Sequence, residues 1–122
     1  MKTIHKIKLL PFSLILFLAF TSGCYYDEVY IPAPEGEISY ATDMQPYFDS
    51  KCASCHPASS QPDLQTDTSY NSLTTGGYLN TTDPASSLLY TKIAPGGSME
   101  SFSTTTETAM TLLWIEQGAL NN

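Results

Sequence analysis

Cys52-Ala53-Ser54-Cys55-His56 is the stretch whose reading decides the fold. Two cysteines three residues apart lie on one side of a single helical turn, and a histidine follows at once. This is the C-x-x-C-H pattern that attaches a c-type haem. Its spacing lets both thiols reach the two vinyl groups along one porphyrin edge, while the next residue swings beneath the ring. His56 is thus expected to be the proximal iron ligand. Its other ring nitrogen is then free to donate to a backbone carbonyl, for which residues 57–64 are the nearest source.

The same letters occur in zinc sites and in thioredoxin-like proteins, and the rest of the chain separates these readings. Structural zinc takes four ligands, but beyond residue 23 the only Cys and His besides Cys24 are Cys52, Cys55 and His56. A carboxylate would have to complete such a site. A thioredoxin-like dithiol calls for a βαβ pattern, and no strand pattern is visible. Three cysteines are also too few for a disulfide framework.

Helical signals flank the motif. Thr42 and Gln45 make a capping-box pattern, and Met44, Tyr47, Phe48 and Cys52 share one helical face leading into the cysteines, with Pro46 in the first turn. Thr104 and Glu107 make a second box, after which Met110, Leu113, Trp114 and Gln117 form a stripe and Gly118 offers a stop. Between them Ser86 to Ile93, opened by Asp83-Pro84, is a shorter helical candidate, with Gly-bearing loops at Gly76-Gly77 and Gly96-Gly97. Ser- and Thr-rich stretches lower helix propensity, so long irregular segments are expected that a buried cofactor would order.

The N-terminal end reads as an export signal. Lys2, Lys6 and Lys8 precede an apolar run from Leu9 to Phe20 that is too short to span a membrane comfortably. Thr21-Ser22-Gly23-Cys24 resembles the lipobox of bacterial lipoproteins, with Thr21 in place of the usual Leu. That resemblance implies cleavage before Cys24 and acylation of this cysteine, which would anchor the protein to a membrane. The expected organisation is a signal over residues 1–23, a Pro-bearing tether over 24–37 and one folded domain over 38–122. Beyond residue 23 two lysines face twelve carboxylates, a formal charge of −10. Nucleic acid is an unfavourable partner for such a chain, and a basic docking surface on a redox protein is a compatible one.

The folded part resembles the planctomycete-type and related class I bacterial cytochrome c domains. The residues that carry the likeness are Met44-Gln45-Pro46-Tyr47-Phe48, Asp83-Pro84 with Ser87-Leu88-Leu89-Tyr90, and Leu113-Trp114-Ile115-Glu116-Gln117-Gly118-Ala119. The resemblance implies an all-α class I cytochrome c-like fold around one covalent haem c, with long irregular loops. It also implies that the first and last helices cross over the haem, with Phe48 and Trp114 at the crossing. Met99 matches the family's distal iron ligand, although Glu100-Ser101 replaces the usual Pro-Pro after it. Elimination agrees, because Met44 and Met110 fall on buried stripes and Met1 lies in the signal, whereas Met99 follows the flexible Gly96-Gly97-Ser98.

With both axial positions filled, the expected role is one-electron transfer at the cell envelope, facing the periplasm or cell surface, and not catalysis. Two alternatives stand beside it. One is a haem enzyme or gas sensor with an open sixth position, for which the chain beyond residue 23 offers no distal histidine. The other is a haem-bearing subunit of a larger anchored complex.

Overall fold

A computed structural model describes residues 34–122. The expected signal, Cys24 and the tether as far as residue 33 lie outside the described residues. Among the described residues all regular structure is helical. The domain is therefore all-α.

The chain enters its first helix through a π-turn, Tyr40–Met44, which runs directly into α1, Gln45–Lys51. The expected Thr42–Gln45 capping box does not form. Ser39 caps instead: its hydroxyl accepts from the Thr42 N–H at 3.3 Å, and the Asp43 carboxylate accepts from the Ser39 N–H at 2.8 Å. Gln45 is buried, and its amide is turned inward to donate to Asp49 at 2.8 Å and accept from the Ser69 hydroxyl. The widened turn suits the proline after it. Gln45 N–H reaches back to the Tyr40 carbonyl, and Pro46 next to it has no N–H with which to continue an ordinary ladder.

A second helix, α2, spans Ser69–Thr75, where no helix was expected. The candidate over Ser86 to Ile93 divides into a 3₁₀ turn, Pro84–Ser86, and α3, Leu88–Ile93. The break falls at Ser87, whose hydroxyl accepts from the Asn80 N–H at 2.8 Å. A further 3₁₀ turn, Glu100–Phe102, precedes α4, Thr105–Glu116.

The predicted cap of α4 is present in full: Glu107 accepts from the Thr104 N–H at 2.7 Å and Thr104 Oγ1 accepts from the Glu107 N–H at 3.3 Å. Gly118 ends the helix in the left-handed region at φ 95°. Its buried face is rotated from the expected stripe. Thr108, Thr111, Trp114 and Ile115 are buried, while Met110 and Leu113 pack at the margin of the core. Two threonines can face inward because Thr111 donates to its own helix at the Glu107 carbonyl and Thr108 donates to Ile93 of α3.

Tyr40 is the hub of the core. Its ring lies 5.3 Å from Trp114, 6.3 Å from Phe48 and, edge-on, 5.0 Å from Tyr70. Phe48 and Trp114 are both buried on this cluster, with Tyr40 between them. The two ends of the domain are then sewn together. Ile38 N–H donates to Gln117, Tyr40 N–H to the Asn122 side chain and Ala41 N–H to the Asn122 carbonyl, all within 2.9 Å. At the other end of the same helix pair Lys51 meets Glu107 at 2.8 Å, so α1 and α4 pass in opposite directions.

Candidate functional site

The C-x-x-C-H segment begins where α1 stops. Cys52 N–H closes the helix on the Phe48 carbonyl at 2.8 Å, and the Cys52 carbonyl then accepts from both Cys55 and His56 N–H at 3.0 Å. The five residues thus make one tight turn. Neither cysteine is in a disulfide; Cys52 is half-buried and Cys55 exposed. Burial pushes the Cys52 thiol up from its usual range, against the lowering effect of a hydrogen bond from Tyr47.

The following loop folds back under the histidine. Leu64 N–H donates to the His56 carbonyl at 2.9 Å, and His56 Nδ1 lies 3.1 Å from the Pro62 carbonyl oxygen. α2 holds this loop in place, since Ser72 Oγ accepts from the Asp63 N–H at 2.9 Å. In turn α2 is fixed to the core by buried Leu73, by Ser69 between Tyr40 and Gln45, and by Tyr70 donating to the Ala119 carbonyl at 3.0 Å.

Facing the turn is the segment after α3, and it is tightly built. The glycines at 96 and 97 lie within a hydrogen-bonded turn. Met99 N–H donates to the Lys92 carbonyl at 2.8 Å, Gly97 N–H to the Ala94 carbonyl at 2.8 Å, and Gly96 N–H to the Glu100 carboxylate at 2.9 Å. A Cβ on residue 97 would lie 2.3 Å from the Lys92 carbonyl oxygen, so close backbone approach is what requires glycine.

Between these walls lies a cavity of about 530 Å³ that is lined by Cys52, Cys55, His56 and Met99 together. Its volume is within the roughly 300–1,000 Å³ usual for cofactor and small-molecule sites. The walls are apolar: Tyr47 and Phe48 from α1, Leu64 and Tyr78 from the loops, Leu88, Leu89 and Ile93 from α3, and Phe102 beyond Met99. Four large apolar residues are exposed among the described ones, Leu88, Met99, Phe102 and Leu120, and the first three line this cavity. Exposed apolar surface gathered in one place is the kind of surface that ligands and partners cover. Tyr47 is braced there by a hydrogen bond with Ser103, and burial pushes its phenol above the ordinary range despite that bond.

The donor set comprises one imidazole, two thiols and a thioether around apolar walls. Such a set has the chemistry to hold an apolar group through its two thiols and to ligate it by one nitrogen and one sulfur. Among the described residues no three His, Cys, Asp or Glu side chains gather as a metal-ion site.

Among the lining residues not anticipated from the sequence are the two lysines, Lys51 and Lys92. A signal for them existed. They are the only cations beyond residue 23, one directly before Cys52 and the other one helical turn after Leu88.

Comparisons with family models, curated proteins and solved structures find no match for this chain.

Proposed function

We propose that residues 38–122 form a class I-type monohaem cytochrome c, a one-electron transfer protein held at the cell envelope by a lipid on Cys24. The reading is supported above all by the convergence of Cys52, Cys55, His56 and Met99 on one apolar cavity. Cys52 and Cys55 would hold haem c through thioether bonds, and His56 and Met99 would supply the nitrogen and sulfur ligands to its iron. When bound, the haem supplies reversible cycling between ferric and ferrous iron.

The chain's own residues do the rest. The Pro62 carbonyl orients the imidazole, the Lys92 and Ala94 carbonyls hold the Met99 segment in register, and Phe48, Leu89 and Ile93 keep water from the ring. Two lysines against ten carboxylates over residues 34–122 suit a redox partner with a basic docking surface.

An optical spectrum of the protein, expressed as the full precursor alongside haem-ligation machinery, tests the reading. A six-coordinate low-spin spectrum that switches reversibly with reductant and resists added cyanide or carbon monoxide is expected. A high-spin ferric form that binds these ligands readily would overturn the carrier role in favour of a haem enzyme or sensor. Labelled palmitate in the mature protein, lost in Cys24→Ser, tests the anchor.

A further inference from the structure

We infer that Lys92 is the carboxylate-binding group of the cavity and that, on the haem reading on which this rests, its partner is a haem propionate. Charge is the first ground for it. Residues 34–122 carry ten carboxylates and two lysines, yet both lysines line the cavity and no Asp or Glu does. A domain that is strongly anionic overall thus presents a cationic edge at one place, the mouth of its apolar cavity. A ligand with an apolar body and an anionic edge is complementary to that pattern.

The two lysines are not equivalent. Lys51 is already engaged, with Nζ 2.8 Å from Glu107, and this is the one ion pair among the described residues. Its charge is largely answered within the protein. Lys92 is exposed and has no carboxylate in reach among the described residues, so its charge is the unanswered one at the mouth.

Its placement is also well defined. Lys92 sits in the last turn of α3, where Leu88, Leu89 and Ile93 of the same helix form the cavity wall, and its carbonyl holds Met99 N–H at 2.8 Å. From that position an aliphatic stem laid along the wall would bring an ammonium to the edge of a ligand that is apolar inside and charged at its edge. A lysine in a last helical turn also complements the helix dipole. That role alone would leave the propionate bands of a bound haem unmoved.

The test compares wild type, Lys92→Gln, Lys92→Arg and the remote exposed control Glu116→Gln, all as full-length holoprotein. Three readouts are taken: the mass of the peptide bearing Cys52 and Cys55, the reduction potential, and the propionate-bending bands of the resonance Raman spectrum. Lys92→Gln is expected to retain the haem-bearing peptide, lower the potential because loss of a cation favours the ferric state, and shift a propionate band. Lys92→Arg should restore both, and Glu116→Gln should leave the propionate bands as in wild type. Wild-type potential and bands in Lys92→Gln would overturn the inference alone. So would a lowered potential with unmoved bands, which is a charge acting at a distance. Absence of the haem-bearing peptide from wild type would overturn the haem reading and this inference with it.

Discussion

The Nδ1 of His56 donates to the carbonyl oxygen of Pro62 at 3.1 Å. A carbonyl only accepts, so Nδ1 carries a proton, and in the neutral ring this tautomer puts the lone pair at Nε2. On the haem reading, His56→Ala should keep the cofactor on its thioethers yet lose the low-spin spectrum, and added imidazole should bring it back. A low-spin spectrum in His56→Ala without imidazole would remove His56 as an iron ligand.

Gly97 governs the opposite wall. Because a Cβ there collides with the Lys92 carbonyl, Gly97→Ala should displace the Met99 segment without touching the cysteines. The expected result is retained haem with a weakened or absent far-red sulfur-to-iron band in the ferric protein, as in Met99→Ala. An unchanged band in Gly97→Ala would mean that this close approach does not position Met99.

Glu107 joins the cap of α4 to α1 and sets a pH dependence. Its partial burial would raise its pKa, but hydrogen bonds from Lys51 and Thr104 outweigh that and hold the carboxyl below its usual range. A lowered folded pKa adds stability that is present above the unfolded value of about 4.3 and is lost as pH falls through the folded one. Glu107→Ala should cost about 1–2 kcal/mol at pH 7, a cap plus a partly exposed ion pair. Denaturant titrations of wild type and variant should converge as pH drops below about 4. A gap that stays constant down to about pH 3 would contradict this assignment.

How much of this was legible in the sequence differs by element. The cap of α4 was plain, because Thr104 and Glu107 satisfy each other locally and no distant residue intervenes. α2 was not, since Ser69-Tyr70-Asn71-Ser72-Leu73-Thr74-Thr75 is poor in helix formers and is held by Tyr40, Gln45 and Ala119 from elsewhere in the chain. The first cap was misplaced for a related reason: Gln45 is drawn into the core by Ser69, a contact that no local pattern records. The knot between Ile38–Ala41 and the last residues was equally hidden, its partners lying 79 to 83 positions apart. At the site the cysteines and the histidine were legible from spacing alone, and the carbonyl for His56 lay in the expected loop. The cationic rim was not, because proximity of Lys51 and Lys92 is a product of folding.

Covalent attachment of haem at Cys52 and Cys55 is the central claim, and denaturing electrophoresis under full reduction measures it. Wild-type protein made with haem-ligation machinery should keep its haem stain on the polypeptide through the gel. The Cys52→Ser, Cys55→Ser double variant should run unstained and should show a much reduced helical signal before denaturation, since its apolar cavity would stand empty. Haem that leaves the wild-type chain under these conditions, or a wild-type chain that never stains, would contradict the claim.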